Sequence, residues 1–125
     1  LDGKLYAVGG QATQGDCLES AERYDPALGV WEAVAPMAVG RVALSVVVLE
    51  GKLYAVGGRD DDLNMLRSVE RYDPALDAWE TVAPMATARA APTVAVLDGK
   101  LYALGGYNNN GCLSSVEWYD PATNA

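Results

Sequence analysis

The sequence predicts an all-β protein built from about three tandem copies of one four-stranded antiparallel unit. Two landmarks recur three times along the 125 residues, with a spacing of 47 or 48 residues. They are Gly-Lys-Leu-Tyr-Ala at 3–7, 51–55 and 99–103, and Tyr-Asp-Pro-Ala at 24–27, 72–75 and 119–122. A fixed period of this size indicates a stack of repeated supersecondary units.

A hairpin signal predicts the first two strands of the unit, strands a and b. Residues 44–49 and 93–97 are short runs rich in Val and Leu, which is typical of a strand buried on both faces. Glu50-Gly51 or Asp98-Gly99 follows each run, and Lys-Leu-Tyr-Ala comes next. Asp-Gly between two apolar runs indicates a type I′ turn, in which both central residues have positive φ. The double glycine after strand b predicts a bulge or a close approach of another sheet.

Tyrosine and tryptophan mark the other two strands, c and d. The Asp-Pro pair after strand c predicts a tight turn, and proline ends strand d. No segment shows a sustained helical period. The predicted strands are 20–24, 68–72 and 115–119 for strand c, and 30–34 and 78–82 for strand d.

Composition argues against several classes of function. The chain has 17 Asp and Glu against 9 Lys and Arg, a net charge of −8 and a pI of about 4.3. This sign repels nucleic-acid phosphates and anionic lipids. The absence of histidine removes the commonest general base and metal ligand. No apolar run approaches the roughly 18 residues of a membrane helix. We therefore expect no nucleic acid, membrane, metal or cofactor as a ligand, and no catalytic residue.

The repeat resembles the kelch motif, the blade unit of kelch β-propellers. The resemblance covers essentially the whole chain: the double glycine after strand b, the Tyr of strand c, the Trp seven residues later and the Arg beyond Pro-Met. Ser-Val-Glu-Arg-Tyr-Asp-Pro at 68–74 is similar to kelch-like proteins, whose propeller follows BTB and BACK domains. The resemblance implies a partial kelch β-propeller, with blades at 1–38, 39–86 and 87–125.

The two terminal blades are expected to be incomplete. Leu1 is equivalent to Leu49 and Leu97, so the first blade lacks strand a, and the third lacks strand d because Ala125 precedes the expected Trp. Three blades do not close a kelch ring, which has about six. The chain is then an excerpt of a longer propeller, or two copies complete one ring. The remaining blades are therefore an expected partner, and the start on Leu1 agrees with an excerpt or a processed piece.

The resemblance implies a non-catalytic module that binds a peptide or protein. In the BTB–kelch proteins this module is the substrate-recognition part of a cullin–RING ubiquitin ligase adaptor. Cytoskeletal binding, as to actin, is an alternative on the same scaffold. A segment of a kelch-type oxidase or sugar-processing enzyme is disfavoured, because copper oxidases of this kind use histidine ligands. The two cysteines are expected to be reduced, which favours the cytoplasm.

Strand order places the b–c loops and the d–a connections on one face of the propeller. The b–c loops at 11–19, 59–67 and 107–112 diverge, whereas the turns of the opposite face are nearly identical. Variable loops on a rigid repeated scaffold usually carry recognition. We therefore expect the partner on this face, with candidate contacts at Gln11, Gln14, Arg59, Asp60, Asn64, Tyr107 and Asn108.

Two further candidates, Arg41 and Arg89, occupy the d–a connections, four residues after Met37 and Met85. In kelch-like receptors the matching Arg faces the channel mouth and grips acidic groups of a peptide. The residues themselves leave an alternative open, in which each Arg pairs with a strand-c glutamate such as Glu70 of the adjacent blade. Hydrophobic residues follow both arginines where kelch-like repeats often have Arg or Ser, which argues against a strongly acidic ligand.

Two other groups of residues are not predicted to form sites. Cys17 and Cys112 occupy equivalent positions two blades apart, too distant for a disulfide, and Met65 takes that place in the middle blade. The adjacent acids 60–62 lack the spaced ligands of a calcium loop. We expect no disulfide and no metal site.

Overall fold

The computed structural model describes residues 1–125 and contains twelve β-strands and no α-helix. No helix is therefore present that could cross a membrane. The strands are, in chain order, β1 (Leu5–Val8), β2 (Ala21–Asp25), β3 (Val30–Val34), β4 (Ser45–Leu49), β5 (Lys52–Val56), β6 (Val69–Asp73), β7 (Ala78–Val82), β8 (Thr93–Leu97), β9 (Lys100–Leu104), β10 (Tyr107–Asn108), β11 (Gly111–Cys112) and β12 (Val116–Tyr119).

Three antiparallel sheets correspond to the three repeats. The first has the order β1-β2-β3, the second β4-β5-β6-β7 and the third β12-β9-β8. Strands a to d of the repeat are thus neighbours in sequence order, the first sheet lacks strand a and the third lacks strand d. The predicted fold class, a partial propeller of four-stranded antiparallel units, is confirmed. The short hairpin β10–β11 lies within the third b–c loop and was not predicted.

The hairpin turns between strands a and b have the predicted geometry. Glu50 and Gly51 have φ values of 51° and 73°, and Asp98 and Gly99 have values of 52° and 73°. Positive φ at both central residues is the mark of the type I′ turn, whose twist matches that of the flanking strands. The register that follows pairs Leu49 with Lys52.

The double glycine brings the end of strand b close to the d–a connection, as predicted. Gly57 and Gly58 have φ values of 64° and 99°. A Cβ atom at Gly57 would collide with the carbonyl oxygen of Arg89, and one at Gly58 would lie 2.7 Å from that of Val42. Only glycine combines this backbone conformation with this contact.

The hydrophobic core lies between adjacent sheets. Tyr6 of the first sheet contacts Tyr72 of the second at a ring-centroid distance of 5.9 Å, and Tyr54 of the second contacts Tyr119 of the third at 5.8 Å. Trp79 packs on Tyr72, and its Nε1 donates a 2.7 Å hydrogen bond to the carbonyl of Ala35 in the first repeat. The main core cluster comprises Leu49, Tyr54, Val56, Val69, Val82, Met85, Leu101 and Ala103.

Strand a is less buried than its composition suggests, so the expectation of burial on both faces is wrong for this structure. Along β4 the burial alternates: Val46 and Val48 are 37% and 41% exposed, whereas Leu49 is buried. The exposed face of β4 points toward the first sheet, which has no strand a to cover it. In β8, Val94 packs against the main core, but the other four residues are exposed.

Candidate interaction face

The three b–c loops share one framework and differ in their tips. Each loop begins and ends with a β-bridged pair: Gln11 with Cys17, Arg59 with Met65, and Tyr107 with Cys112. The d–a connections lie between the loops, because Val42 bridges to Arg59 and Ala90 bridges to Tyr107. Backbone hydrogen bonds therefore hold the loops and connections together on one face.

Arg41 lies at the junction between the first two sheets and is fully buried. Its Nε and Nη2 donate to Oε2 of Glu70 at 3.2 and 2.9 Å. Nη1 donates to the carbonyls of Gly57 and Ser68 at 3.0 and 2.9 Å, and Nη2 also donates to the Ser68 hydroxyl at 2.9 Å. The other Glu70 oxygen accepts the backbone N–H of Ala38 at 2.7 Å. All the donors of this guanidinium are used within the protein.

Arg89 makes the same set of bonds one junction further on. Its Nε donates to Glu117 at 3.2 Å, and its Nη2 lies 3.1 Å from the same carboxylate oxygen. Nη1 donates to the carbonyls of Gly105 and Ser115 at 2.8 and 2.9 Å, and Nη2 donates to the Ser115 hydroxyl at 2.8 Å. Arg89 is 1% exposed.

The two arginines therefore have the structural role, in which each pairs with a strand-c glutamate. Each pairs with the strand-c glutamate of its own repeat, not with that of an adjacent blade as expected, and neither presents a donor to solvent. Direct contact with a partner, which the kelch-like resemblance implies for Arg41 and Arg89, is incompatible with this packing because their side chains are inaccessible and their donors are occupied. They still join the repeats, because the side chain bonds to the sheet that follows while the backbone bonds to the preceding repeat, as Arg41 does with Gly10 and Leu18.

Several candidate loop residues stabilise their own loops. Gln11 Nε2 donates to the carbonyl of Gly15 at 3.1 Å. The Asp60 carboxylate accepts the backbone N–H groups of Asp62 and Asn64 at 3.0 and 2.9 Å, and the Asn64 amide at 3.3 Å. These hydrogen bonds lower the pKa of Asp60, and the bond from the Asn64 backbone N–H has the largest effect. Asp60 is therefore ionised and turned toward its own loop.

Three other candidates, Gln14, Arg59 and Tyr107, have side chains without a hydrogen bond inside the protein. Gln14 is exposed, Arg59 is half-buried, and Tyr107 is 41% exposed. Their polar groups are available to another molecule. Asn108 is different, because its Nδ2 donates to the carbonyl of Ala88 at 3.0 Å and ties the third loop to the d–a connection.

The structure also shows a cleft between the second and third b–c loops that sequence reasoning missed. The cleft encloses about 240 Å³, and its lining is uncharged. Among the lining asparagines, the sequence singled out Asn64 and Asn108 but not Asn109 and Asn110. The signal was the concentration of asparagines at two loop tips, and only the topology shows that these tips face each other. The lining residues are Asn64, Met65, Ala88, Asn108, Asn109 and Asn110.

A second link that the sequence did not reveal joins the first two b–c loops. The backbone N–H of Cys17 donates a 2.6 Å hydrogen bond to Oδ1 of Asp61. Burial, and then the hydrogen bond and charge of Asp61, raise the pKa of the Cys17 thiol. Cys17 is buried and Cys112 is exposed, and both are free thiols. No group of three or more His, Cys, Asp or Glu side chains is placed to hold a metal ion.

Comparison with known protein families agrees with this geometry. The model of the Kelch motif matches residues 1–38, 40–86 and 88–125, so that each of the three sheets coincides with one match and nearly the whole chain is covered. Kelch propellers generally bind proteins. Since both the sheet topology and the repeat matches lead to the same assignment, the chain belongs to the kelch-repeat family.

Proposed function

We propose that this chain is a non-catalytic recognition segment, which binds a peptide or protein through the b–c loops and the adjoining d–a connections. One observation carries the proposal. Three loops start and end at equivalent bridged positions, yet their tips differ in length and chemistry. A fixed framework with variable tips is what selective recognition requires.

The finer proposal is that this segment recognises substrates for a cullin–RING ubiquitin ligase. Its support is the similarity of residues 68–74 to the kelch-like proteins with BTB and BACK domains. The cytoplasm is the proposed compartment, and the two free thiols support it. In this role the chain performs no chemistry and holds a substrate within reach of the ligase.

Further blades of the same ring are proposed as the second kind of partner, in the same chain or a second copy. Glu22 is equivalent to Glu70 and Glu117, but it is exposed and no arginine bonds to it. Trp31 on the first sheet and Trp118 on the third are 51% and 54% exposed. A blade before the first sheet, joined to it by a connection with an equivalent arginine, would bury Glu22 and Trp31, and a blade after the third sheet would cover Trp118, as the observed junctions do.

The experiment that tests the proposed function is a loop exchange. Residues 60–64 and 12–16 have equal length between equivalent bridged pairs, so exchanging them preserves the framework. We expect affinity capture from cell extract to recover a different set of proteins, with an unchanged melting temperature. Ubiquitylation of the captured wild-type partners should fall in cells that carry the exchanged form. An unchanged partner set contradicts recognition by these loops, and recovery only through filamentous actin in co-sedimentation contradicts the proposed ligase role.

A further inference from the structure

We propose that the cleft between the second and third b–c loops binds an extended peptide segment that lacks acidic side chains. The asparagine amides hold its main chain, and Met65 and Ala88 contact one of its apolar side chains. This inference rests on the proposed function and names the substrate class of the same face.

The walls of the cleft are fixed before any ligand arrives. On one side, the Asp60 carboxylate holds the loop that ends in Asn64 and Met65. On the other side, the β10–β11 hairpin presents Asn109 and Asn110 at its turn, and Asn108 is bonded to Ala88. A preformed cleft lowers the entropy that a ligand loses on binding.

The free hydrogen-bonding groups in the cleft match a peptide main chain. The side-chain amides of Asn109 and Asn110 are exposed and make no hydrogen bond within the protein, and Oδ1 of Asn64 accepts none. A carboxamide carries one acceptor and an NH₂ donor, as a peptide unit carries one C=O and one N–H. The half-buried side chains of Met65 and Ala88 add an apolar surface.

The charge of the surrounding loops selects against acidic ligands. Arg41 and Arg89 are neutralised by Glu70 and Glu117 and are buried. Loops 11–19 and 59–67 carry five acidic side chains and two basic ones, and loop 107–112 carries no charge, which leaves three net negative charges. They are Asp16, Glu19, Asp60, Asp61 and Asp62 against Arg59 and Arg67. Such a surface repels acidic peptides and attracts basic ones.

A displayed library of random 12-residue peptides provides the probe. We expect peptides selected on the wild-type protein to be enriched in Lys and Arg and depleted in Asp and Glu. Their affinity should fall at least about tenfold with Asn109→Ala plus Asn110→Ala, because about two hydrogen bonds are lost. Ala88→Leu, which fills the cleft, should abolish binding. Leu28→Ala, on an exposed turn of the opposite face, is the matched control and should change nothing.

Three outcomes would overturn the inference. Selected peptides rich in Asp and Glu would contradict the charge argument. Peptides that tolerate the cleft variants but are lost with Gln14→Ala or Arg59→Ala would leave the proposed function intact and refute the cleft. A library that yields no binder would overturn both the cleft and the proposed function. Melting temperatures of all variants, which change exposed or half-buried loop residues, verify that they fold.

Discussion

The two buried arginines show, at the scale of single residues, how a charge becomes part of a protein core. Arg41 and Arg89 each meet a carboxylate, two carbonyls and a serine hydroxyl from the sheet that follows them in the chain. A planar guanidinium satisfies these acceptors together, which an ammonium cannot do. The same side chain therefore recurs at the same repeat position in both junctions.

Arg41→Lys should destabilise the protein by about 2 to 3 kcal/mol, because lysine leaves some of the buried carbonyl and carboxylate acceptors without a donor. Urea unfolding measures this change. Arg67→Lys is the control and should have no effect, because the Arg67 side chain is exposed and makes no hydrogen bond. A stable Arg41→Lys protein with weakened partner binding would show instead that Arg41 contacts the partner.

Asp77 offers a test of pH dependence with a natural counterpart in the chain. It accepts the backbone N–H of Ala35 at 2.9 Å and the Tyr72 hydroxyl at 2.8 Å, and these bonds lower its pKa. Asn124 makes the equivalent bonds to Ala83 and Tyr119 as a neutral amide. A lowered carboxyl pKa contributes stability above the unfolded value of about 3.9 and loses it as the pH falls through the folded value.

Asp77→Asn should therefore reduce the loss of folding stability that the protein undergoes at low pH. The difference in urea midpoint between wild type and variant should shrink or reverse between pH 5 and pH 2, because only wild type loses the ionised acceptor. The positive φ of Asp77 is no obstacle, since Asn124 has a similar φ of 52°. Parallel pH profiles for the two proteins would refute this role of Asp77.

For individual residues, the sequence predicted some of the contacts and missed others. The two-residue period of strand c placed Glu70 and Tyr72 on one face, and from this an Arg–Glu pair across blades was expected. The pair forms, but both of its residues belong to the same repeat. The choice between that pair and a partner contact depends on burial between two sheets, which is a tertiary property. The Asp61–Cys17 link was unpredictable for the same reason, since it joins loops 44 residues apart.

At the scale of strands and turns, local signals predicted most of the structure. Strands β3, β7 and β8 have the expected bounds, because proline and the Asp-Gly turns fix where each strand stops. The β10–β11 hairpin escaped prediction because its residues show no alternation of apolar and polar side chains. The exposed face of β4 also escaped, since a Val-rich run does not reveal whether a neighbouring strand is present to cover it.

Two glycines with similar backbone conformations should respond differently to substitution. Gly51 and Gly57 have φ values of 73° and 64°, and asparagine tolerates this region. A Cβ at Gly51 meets nothing within 4 Å, whereas at Gly57 it collides with the Arg89 carbonyl. Gly57→Asn should cost about 1 to 3 kcal/mol more than Gly51→Asn, as overpacked sites do. Equal melting temperatures for the two variants would exclude the collision.

At the scale of the whole molecule, each repeat buries its faces against its neighbours. The second sheet is packed on both sides, and it contributes most of the fully buried residues. The first and third sheets each expose one face. In a stack of repeats such faces are covered by a neighbour or a cap. The rule that each repeat covers its faces with a neighbouring repeat explains the observed junctions, and it also supports the proposed additional blades.

Glu22 tests whether further blades follow this rule. In a ring completed by the proposed blades, Glu22→Gln should destabilise as much as Glu70→Gln, by about 1 to 3 kcal/mol, because each change would then remove the charge that balances a buried arginine. Chemical denaturation of both variants measures the effect. A value for Glu22→Gln within about 0.5 kcal/mol of wild type, as is usual at a free surface, would contradict a blade at this end.

The most direct test of the repeated junction is the coupling free energy between Arg41 and Glu70, obtained from urea unfolding of wild type, Arg41→Met, Glu70→Leu and the double variant. Removing one partner of a buried pair costs about 3 to 5 kcal/mol, whereas replacing both with apolar residues costs far less. We predict a double variant more stable than either single variant and a coupling of at least about 2 kcal/mol. Additive effects with no coupling would contradict the assignment of these arginines to the junctions between repeats.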